Sequence, residues 1–377
     1  MHSFRALILP VFEAGLFMEP ILGQPILTYM CDALRAAGGK IFCAGSFCGL
    51  EEDVIGVISG DSENIAPFFE GEDGPAVLLF APAPTLTAAD FLGLLRASEA
   101  ENGPVCLCQS GAMVAVAGRL HALGEVAQGD WSSRPMLEGP DIPVARDAAG
   151  RYAAQRLLQG RINEAHLHNG VSFWDMGTAH IGPKVRLEPG CELLPGTMIM
   201  GDSHIGAGCV IGPNALLEDT VLGERVRVNA SQIYSSSVGK GTTVGPFAYI
   251  RPGCIIGEKV RIGDFVELKN SNIGEGTKVS HLTYIGDSDF GSGINVGCGV
   301  VTVNYDGKHK HRTVVADGSF IGCNVNLVAP VEVGEGAYVA AGTTVTAPVP
   351  PDALAVGRAR TEIKKDWAKR RREKQGL

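Results

Sequence analysis

From His180 onward, aliphatic residues return at every sixth position. Ile181, Leu187, Leu193, Ile199, Ile205, Ile211 and Leu217 hold this period without a gap. Val244, Ile250, Ile256, Ile262 and Leu268 resume it. Two shifts follow, to Ile273, Val279 and Ile285, then to Phe290, Val296 and Thr302. Val315, Ile321, Leu327, Val333, Val339 and Val345 complete it. A period of six fits neither a helix of 3.6 residues per turn nor a simple alternating strand. It predicts a prism of short parallel strands in which each coil buries the inner face of its neighbours, so that no coil is stable alone. Gly or Pro-Gly recurs just after the inward positions, as tight turns require. Between 218 and 243 the register loosens, and SQIYSSSV reads there as a polar face. From Thr302 to Val315 the spacing is thirteen, one more than two hexads, so a residue must loop out in VNYDGKHKHRTV, which bears Lys308, Lys310 and Arg312.

The first 147 residues follow a different pattern. Apolar runs at Phe4–Pro10, Lys40–Ser46, Ala76–Ala81 and Pro104–Gln109 predict strands. Gln24–Gly38, with Ile26, Leu27, Met30 and Leu34 on one side, and Ala88–Asn102 predict helices. Strands alternating with helices imply an α/β sheet layer. Helical spacing of Ala153, Leu157, Ile162 and Ala165 predicts a helical linker. The expected organisation is an α/β domain over 1–147, a linker over 148–178, a repeat domain over 179–350 and a basic arm over 351–377.

Composition narrows the function. Glycine makes up 50 of 377 residues and aromatics 6%, which suits many turns around small aliphatics. A net charge of -9 argues against a nucleic-acid binder, and the C-terminal tail is the one basic segment. Ten cysteines form no C-x-x-C pair and several fall in repeat positions (Cys191, Cys209, Cys254, Cys298, Cys323), as thiols in a reducing compartment would. No apolar run reaches the length of a membrane span, and the N-terminus lacks the pattern of a signal peptide, so the expected location is cytoplasmic. His309 with His311, and His166 with His168, lack a cysteine or carboxylate spaced to complete a zinc site, and no metal is expected.

Around the two register shifts stand the residues best suited to chemistry: Arg251, Glu267, Lys269, His281, Tyr284, Asn295 and Lys310. They lie in IRPG (250–253), FVELKN (265–270), HLTYIGD (281–287), INVGCG (294–299) and NYDGKHK (304–310). With LVAPVEVGEGAYVAAGTTVT (327–346), these motifs resemble the acetyltransferase half of the bifunctional bacterial enzymes that join N-acetylglucosamine-1-phosphate uridyltransferase to glucosamine-1-phosphate acetyltransferase. The resemblance covers roughly 170–370. It implies a left-handed parallel β-helix, a homotrimer with sites between subunits, and acetyl transfer from acetyl-CoA to glucosamine 1-phosphate on the route to UDP-N-acetylglucosamine. It further implies that His281 is the general base, that Arg251, Lys269, Tyr284, Asn295 and Lys310 contact the sugar phosphate, and that acetyl-CoA lies along Cys298, Asn304, Tyr305, Cys323, Ala341 and Arg358. Cys298 and Cys323 replace the small Ala or Ser usual in the family. Trp367 matches an aromatic residue of the family's C-terminal arm.

These residue types suit the reaction. An amine attacks a thioester only after losing a proton, and an imidazole accepts one near neutral pH. Arg251 and Lys269 suit a phosphate. Glu267 and Lys269 flank inward Leu268 and point outward, so Glu267 is the carboxylate expected to fix the His281 tautomer. Acetylation of another amino-sugar, such as a nucleotide-linked one, and a non-catalytic trimeric scaffold are the alternatives.

The resemblance weakens in the N-terminal half. LGQPILTYMCDALRAAG (22–38) resembles the helix after the nucleotide loop of the uridyltransferase half. The preceding LILPVFEAGLFMEP has neither Lys nor Arg and carries Glu13 and Glu19, an unfavourable lining for a triphosphate. The family's metal-binding Asp and Asn fall on Pro82 and Arg146. A degenerate nucleotidyltransferase-like domain without uridylyl transfer is expected.

Overall fold

The computed structural model describes residues 3–8, 20–22, 24–44, 56–58, 68, 73–109, 112–126, 135–138 and 143–375. It divides into two compact units, Met1–His166 with His180–Pro183, and Leu167–Ala179 with Lys184–Leu377.

Among the described residues, the first unit builds a seven-stranded sheet in the order Gly56–Ile58, Gly39–Ala44, Phe4–Ile8, Pro75–Leu79, Ala112–Arg119, Val105–Gln109, Met136–Glu138. Phe4–Ile8 pairs in parallel with Gly39–Ala44 and Pro75–Leu79. Ala112–Arg119 runs antiparallel to both of its neighbours, Pro75–Leu79 and Val105–Gln109. The sequence pattern missed this strand. AMVAVAGR is apolar without alternation, as suits a strand flanked on both sides. Helix Ile26–Ala36 buries Ile26, Leu27, Met30, Cys31, Ala33 and Leu34, and Gly38 follows it at φ +91°. Helix Ala88–Ala100 opens with a capping box in which the Thr87 hydroxyl accepts from Asp90 N–H, and Thr87 N–H donates to Asp90 Oδ2 at 2.7 Å. Helix Ala148–His168 turns a different face inward from the one expected. Ala153 and Ala165 are exposed, whereas Ala154, Leu158, Gln159 and Asn163 are buried. Gln159 Nε2 donates to Asn163 Oδ1 at 2.9 Å and to the Ile181 carbonyl at 3.2 Å. That pairing engages two buried amides that a hydrophobic pattern places outside.

The second unit is a left-handed β-helix of about ten turns, with three parallel sheets of 11, 10 and 9 strands. The inward row is the expected one: Ile250, Ile262, Leu268, Val279, Ile285 and Ile321 are completely buried. Two sequence readings are corrected. SQIYSSSV is no polar face, because Ile233 and Val238 lie in strands Gln232–Tyr234 and Ser237–Val238 and are buried. Some corners turn in five residues rather than six, which blurred the period. The surplus before Val315 is seven residues, not one. Thr302 and Val315 occupy successive faces, so thirteen positions replace a six-residue step.

Corner hydroxyls tie the coils together. Ser271 Oγ donates to the Lys269 carbonyl at 2.8 Å and accepts Ser288 N–H at 3.1 Å. Thr302, inward among aliphatics, takes Gly286 N–H at 2.8 Å. Backbone groups at each turn thereby stay paired without water.

The candidate active site

Neighbours in this unit are residues one coil apart, mostly 16–18 positions along the chain and 25 across the looped-out segment. Strands Arg261–Asp264 and Lys278–His281 pair in register, with Asp264 opposite His281. His281 Nδ1 lies 2.6 Å from Asp264 Oδ1. Gly263 allows this approach, since a Cβ there would stand 1.9 Å from the Ser280 carbonyl oxygen. The hydrogen bond from His281 holds the Asp264 carboxyl below its ordinary range. Glu267, expected in that role, instead accepts from Arg251 Nη1 at 2.9 Å. Its opposite residue in the next coil is Tyr284, not His281. Counting one coil back from His281 would have found Asp264.

The same register carries the column onward. Val279, Val296, Ile321 and Val339 face one another in successive coils. His281, Cys298, Cys323 and Ala341 each follow two residues later, at one corner. Asn324 N–H donates to the Cys298 carbonyl and Gly342 N–H to the Cys323 carbonyl, both at 2.8 Å. Arg358 Nη1 donates to the Ala341 carbonyl at 2.5 Å. Cys298 is half-buried and Cys323 exposed, and both are free thiols. Asn295 projects from the adjoining strand and is exposed.

A second group forms around the neighbouring face. Arg251, Glu267, Lys269, Tyr284 and Lys310 lie within electrostatic reach of one another. Glu267 strengthens the proton affinity of the Arg251 guanidinium. Lys310 meets Lys269 and pushes its ammonium below the ordinary lysine range. Gly286 leaves room here, because a Cβ would stand 2.2 Å from Tyr284 Oη. The looped-out segment is itself ordered. Tyr305 and Lys310 pair antiparallel, and Asp306 accepts N–H from Lys308 and His309, both at 2.7 Å. Arg312 pins its end, donating to Asp289 Oδ1 at 2.6 Å and to Oδ2 at 2.8 Å. Asn304 is buried at its start, and Tyr305 is exposed. Among the described residues no three His, Cys, Asp or Glu side chains converge as a metal site would require.

In the first unit, Ala145 N–H donates to the Pro82 carbonyl at 2.8 Å, so the segments bearing Pro82 and Arg146 are adjacent. Neither side chain carries an oxygen that could ligate a divalent ion. Glu13 and Glu19 lie outside the described residues. The C-terminal helix Trp367–Gln375 buries no side chain, and the Arg371 guanidinium lies 5.2 Å from the Trp367 ring centre. No helix among the described residues is long and apolar enough to cross a membrane.

Comparison with known proteins follows the same division. Residues 312–347 match the bacterial transferase hexapeptide family (six repeats), and residues 176–273 match the GMPPB C-terminal domain. Bifunctional protein GlmU of Clostridium acetobutylicum is 52% identical over 222 residues, 59% of this chain and 48% of its own length. Bifunctional protein GlmU of Clostridium novyi is 51% identical over 229 residues, 60% of this chain and 50% of its own. The C-terminal part of the chain is a left-handed β-solenoid with hexapeptide repeats. The chain spans about half the length of the curated relatives it matches. The solved UDP-N-acetylglucosamine acyltransferase of Francisella novicida overlaps 52% of this chain and 72% of its own, at 20% identity and a TM-score of 0.32.

Proposed function

We propose that the protein is an acetyl-CoA-dependent N-acetyltransferase that converts glucosamine 1-phosphate to N-acetylglucosamine 1-phosphate. The observation that carries this reading is the corner column in which the Asp264–His281 pair continues into Cys298, Cys323, Ala341 and Arg358. It puts a proton acceptor in line with the positions that the sequence resemblance assigns to acetyl-CoA.

Asp264 accepts a hydrogen bond from His281 Nδ1–H, which fixes the tautomer and leaves the His281 Nε2 lone pair free to act as base. The substrate amine gives its proton to Nε2 as its nitrogen bonds to the thioester carbonyl carbon. The C–S bond then breaks, and the proton passes to the departing thiolate. Arg251, Lys269 and Lys310 hold the phosphate, with Tyr284 and Asn295 on the sugar. Glu267 holds Arg251 in place rather than orienting the base. A homotrimer brings the two groups of neighbouring subunits into one site. The first unit has lost uridylyl transfer, a reading supported by Pro82 and Arg146 at the positions of metal ligands.

Thiol release from acetyl-CoA, measured over a panel of amino-sugar phosphates and nucleotide-linked amino-sugars, tests the assignment. Glucosamine 1-phosphate is expected to give the highest kcat/KM. Preference for another amine would reassign the substrate, and no release with any would return the solenoid to a scaffold.

A further inference from the structure

Asn270, Asp287 and Asn304 follow one another coil by coil at one corner, each 17 residues after the last. Asp287 is only 7% exposed, yet it carries a carboxylate. Its φ of +48° is one that Asp and Asn tolerate better than most residues. Oδ1 accepts from Asn270 Nδ2 at 2.6 Å and Oδ2 from Asn304 Nδ2 at 2.5 Å. The Asp287 N–H donates to the Lys269 carbonyl at 2.9 Å, and its own carbonyl accepts Thr313 N–H at 3.3 Å. The carboxylate therefore reaches the start of the looped-out segment through Asn304, and the backbone reaches its end at Thr313. Lys269 and Lys310 both act on Asp287 electrostatically.

We propose that Asp287 is a positioning residue whose buried carboxylate holds Asn304 and serves as the counter-charge beside Lys269 and Lys310 where they meet the substrate phosphate. The proposal rests on the reading of those two lysines as phosphate contacts. Two ammonium groups in contact disfavour each other's charge, and a neighbouring carboxylate restores it. Around Lys269, the contact with Lys310, burial and Arg251 all push the ammonium down, and Asp287 opposes them. Glu267 is engaged by Arg251, and Arg312 by Asp289. Burial alone would raise the Asp287 carboxyl; the bonds from Asn270 and Asn304 and the two lysines outweigh it and keep the group ionised. A carboxylate taken this far from water needs such partners.

The sign of the effect follows. Replacing the carboxylate removes the charge that opposes the lowering of Lys269, so Lys269 loses its proton at a lower pH and phosphate affinity falls earlier as pH rises. The test is calorimetric binding of N-acetylglucosamine 1-phosphate, which has no titratable amine and is fully ionised at both pH 7 and pH 9 by the usual second phosphate pKa of about 6. The full chain and Asp287→Asn are compared. Asp287→Asn is expected to bind more weakly at pH 7, and to lose several-fold more affinity than the wild type between pH 7 and pH 9, because Lys269 then gives up its charge earlier. Lys310→Gln keeps the carboxylate and removes the lysine contact, so it should bind weakly but with a flatter pH dependence than the wild type. Parallel pH profiles for Asp287→Asn and wild type would overturn the proposal, as would an unchanged slope in Lys310→Gln. A wild type that does not bind the sugar phosphate would overturn the phosphate reading beneath it, and the two failures are told apart by which protein shows them.

Discussion

The two units of this chain differ in how contact relates to sequence. In the solenoid a residue's neighbours lie one coil away, so Asp264 meets His281, and Asn270 meets Asp287, at an offset of 17, within the 16–18 that most coil pairs keep outside the looped-out segment. In the α/β unit Arg119 meets Asp73, and Arg161 meets the Thr85 carbonyl, at offsets of 46 and 76 that no period announces. A repeat turns a long-range contact into a counting rule. A mixed sheet such as the first unit's does not. The lesson bears on function, because both candidate groups lie on coil-to-coil columns.

Four substitutions and one condition break or sharpen this contrast. His281→Ala should have the largest effect, lowering kcat by about 10²–10⁴, the usual share of a general base. KM for the sugar phosphate should change far less, and circular dichroism should show the fold intact, since the side chain is 59% exposed. Leu268→Ala removes a completely buried inward side chain. It should destabilise the solenoid by about 2–5 kcal/mol in denaturant unfolding. Asp264→Asn should lower kcat about tenfold or more, equivalent to ~1.4 kcal/mol in the barrier. That loss should exceed the effect of Glu267→Gln on kcat, with Glu267→Gln read out in sugar-phosphate KM through Arg251; equal effects would return the tautomer role to Glu267. The smallest effect concerns acid. Backbone N–H from His309, the His311 ring and Lys308 N–H lower the Asp306 carboxyl from 3.8 to about 2. A depressed carboxylate contributes above its unfolded pKa and stops contributing as pH falls through its folded one. The protection of amides in residues 304–312, measured against intrinsic exchange at each pH, should therefore fall between pH 4 and pH 2, and constant protection there would show that Asp306 does not order the loop.

Much of the solenoid was legible, because inward aliphatics repeat and glycine marks its turns. The stretch 218–243 was not, because five-residue corners break a six-residue count while still burying Ile233 and Val238. Nor was the length of the loop before Val315, since a spacing of thirteen fits either two steps with one surplus residue or one step with seven. At the site, motif residues were found one at a time, whereas their partners were not. Asp264 and Asp287 carry no signal of their own and gain meaning only from what lies one coil away. In the first unit, Ala112–Arg119 and the buried Gln159–Asn163 pair escaped because antiparallel insertion and amide pairing leave no hydrophobic period.

The most direct measurement incubates the full chain with acetyl-CoA, glucosamine 1-phosphate, UTP and magnesium, and follows each sugar product by chromatography. The expected result is accumulation of N-acetylglucosamine 1-phosphate with UTP untouched, the solenoid acting and the α/β unit silent. Conversion onward to UDP-N-acetylglucosamine would contradict the loss assigned to the first unit, and recovery of unacetylated glucosamine 1-phosphate would contradict the activity assigned to the second.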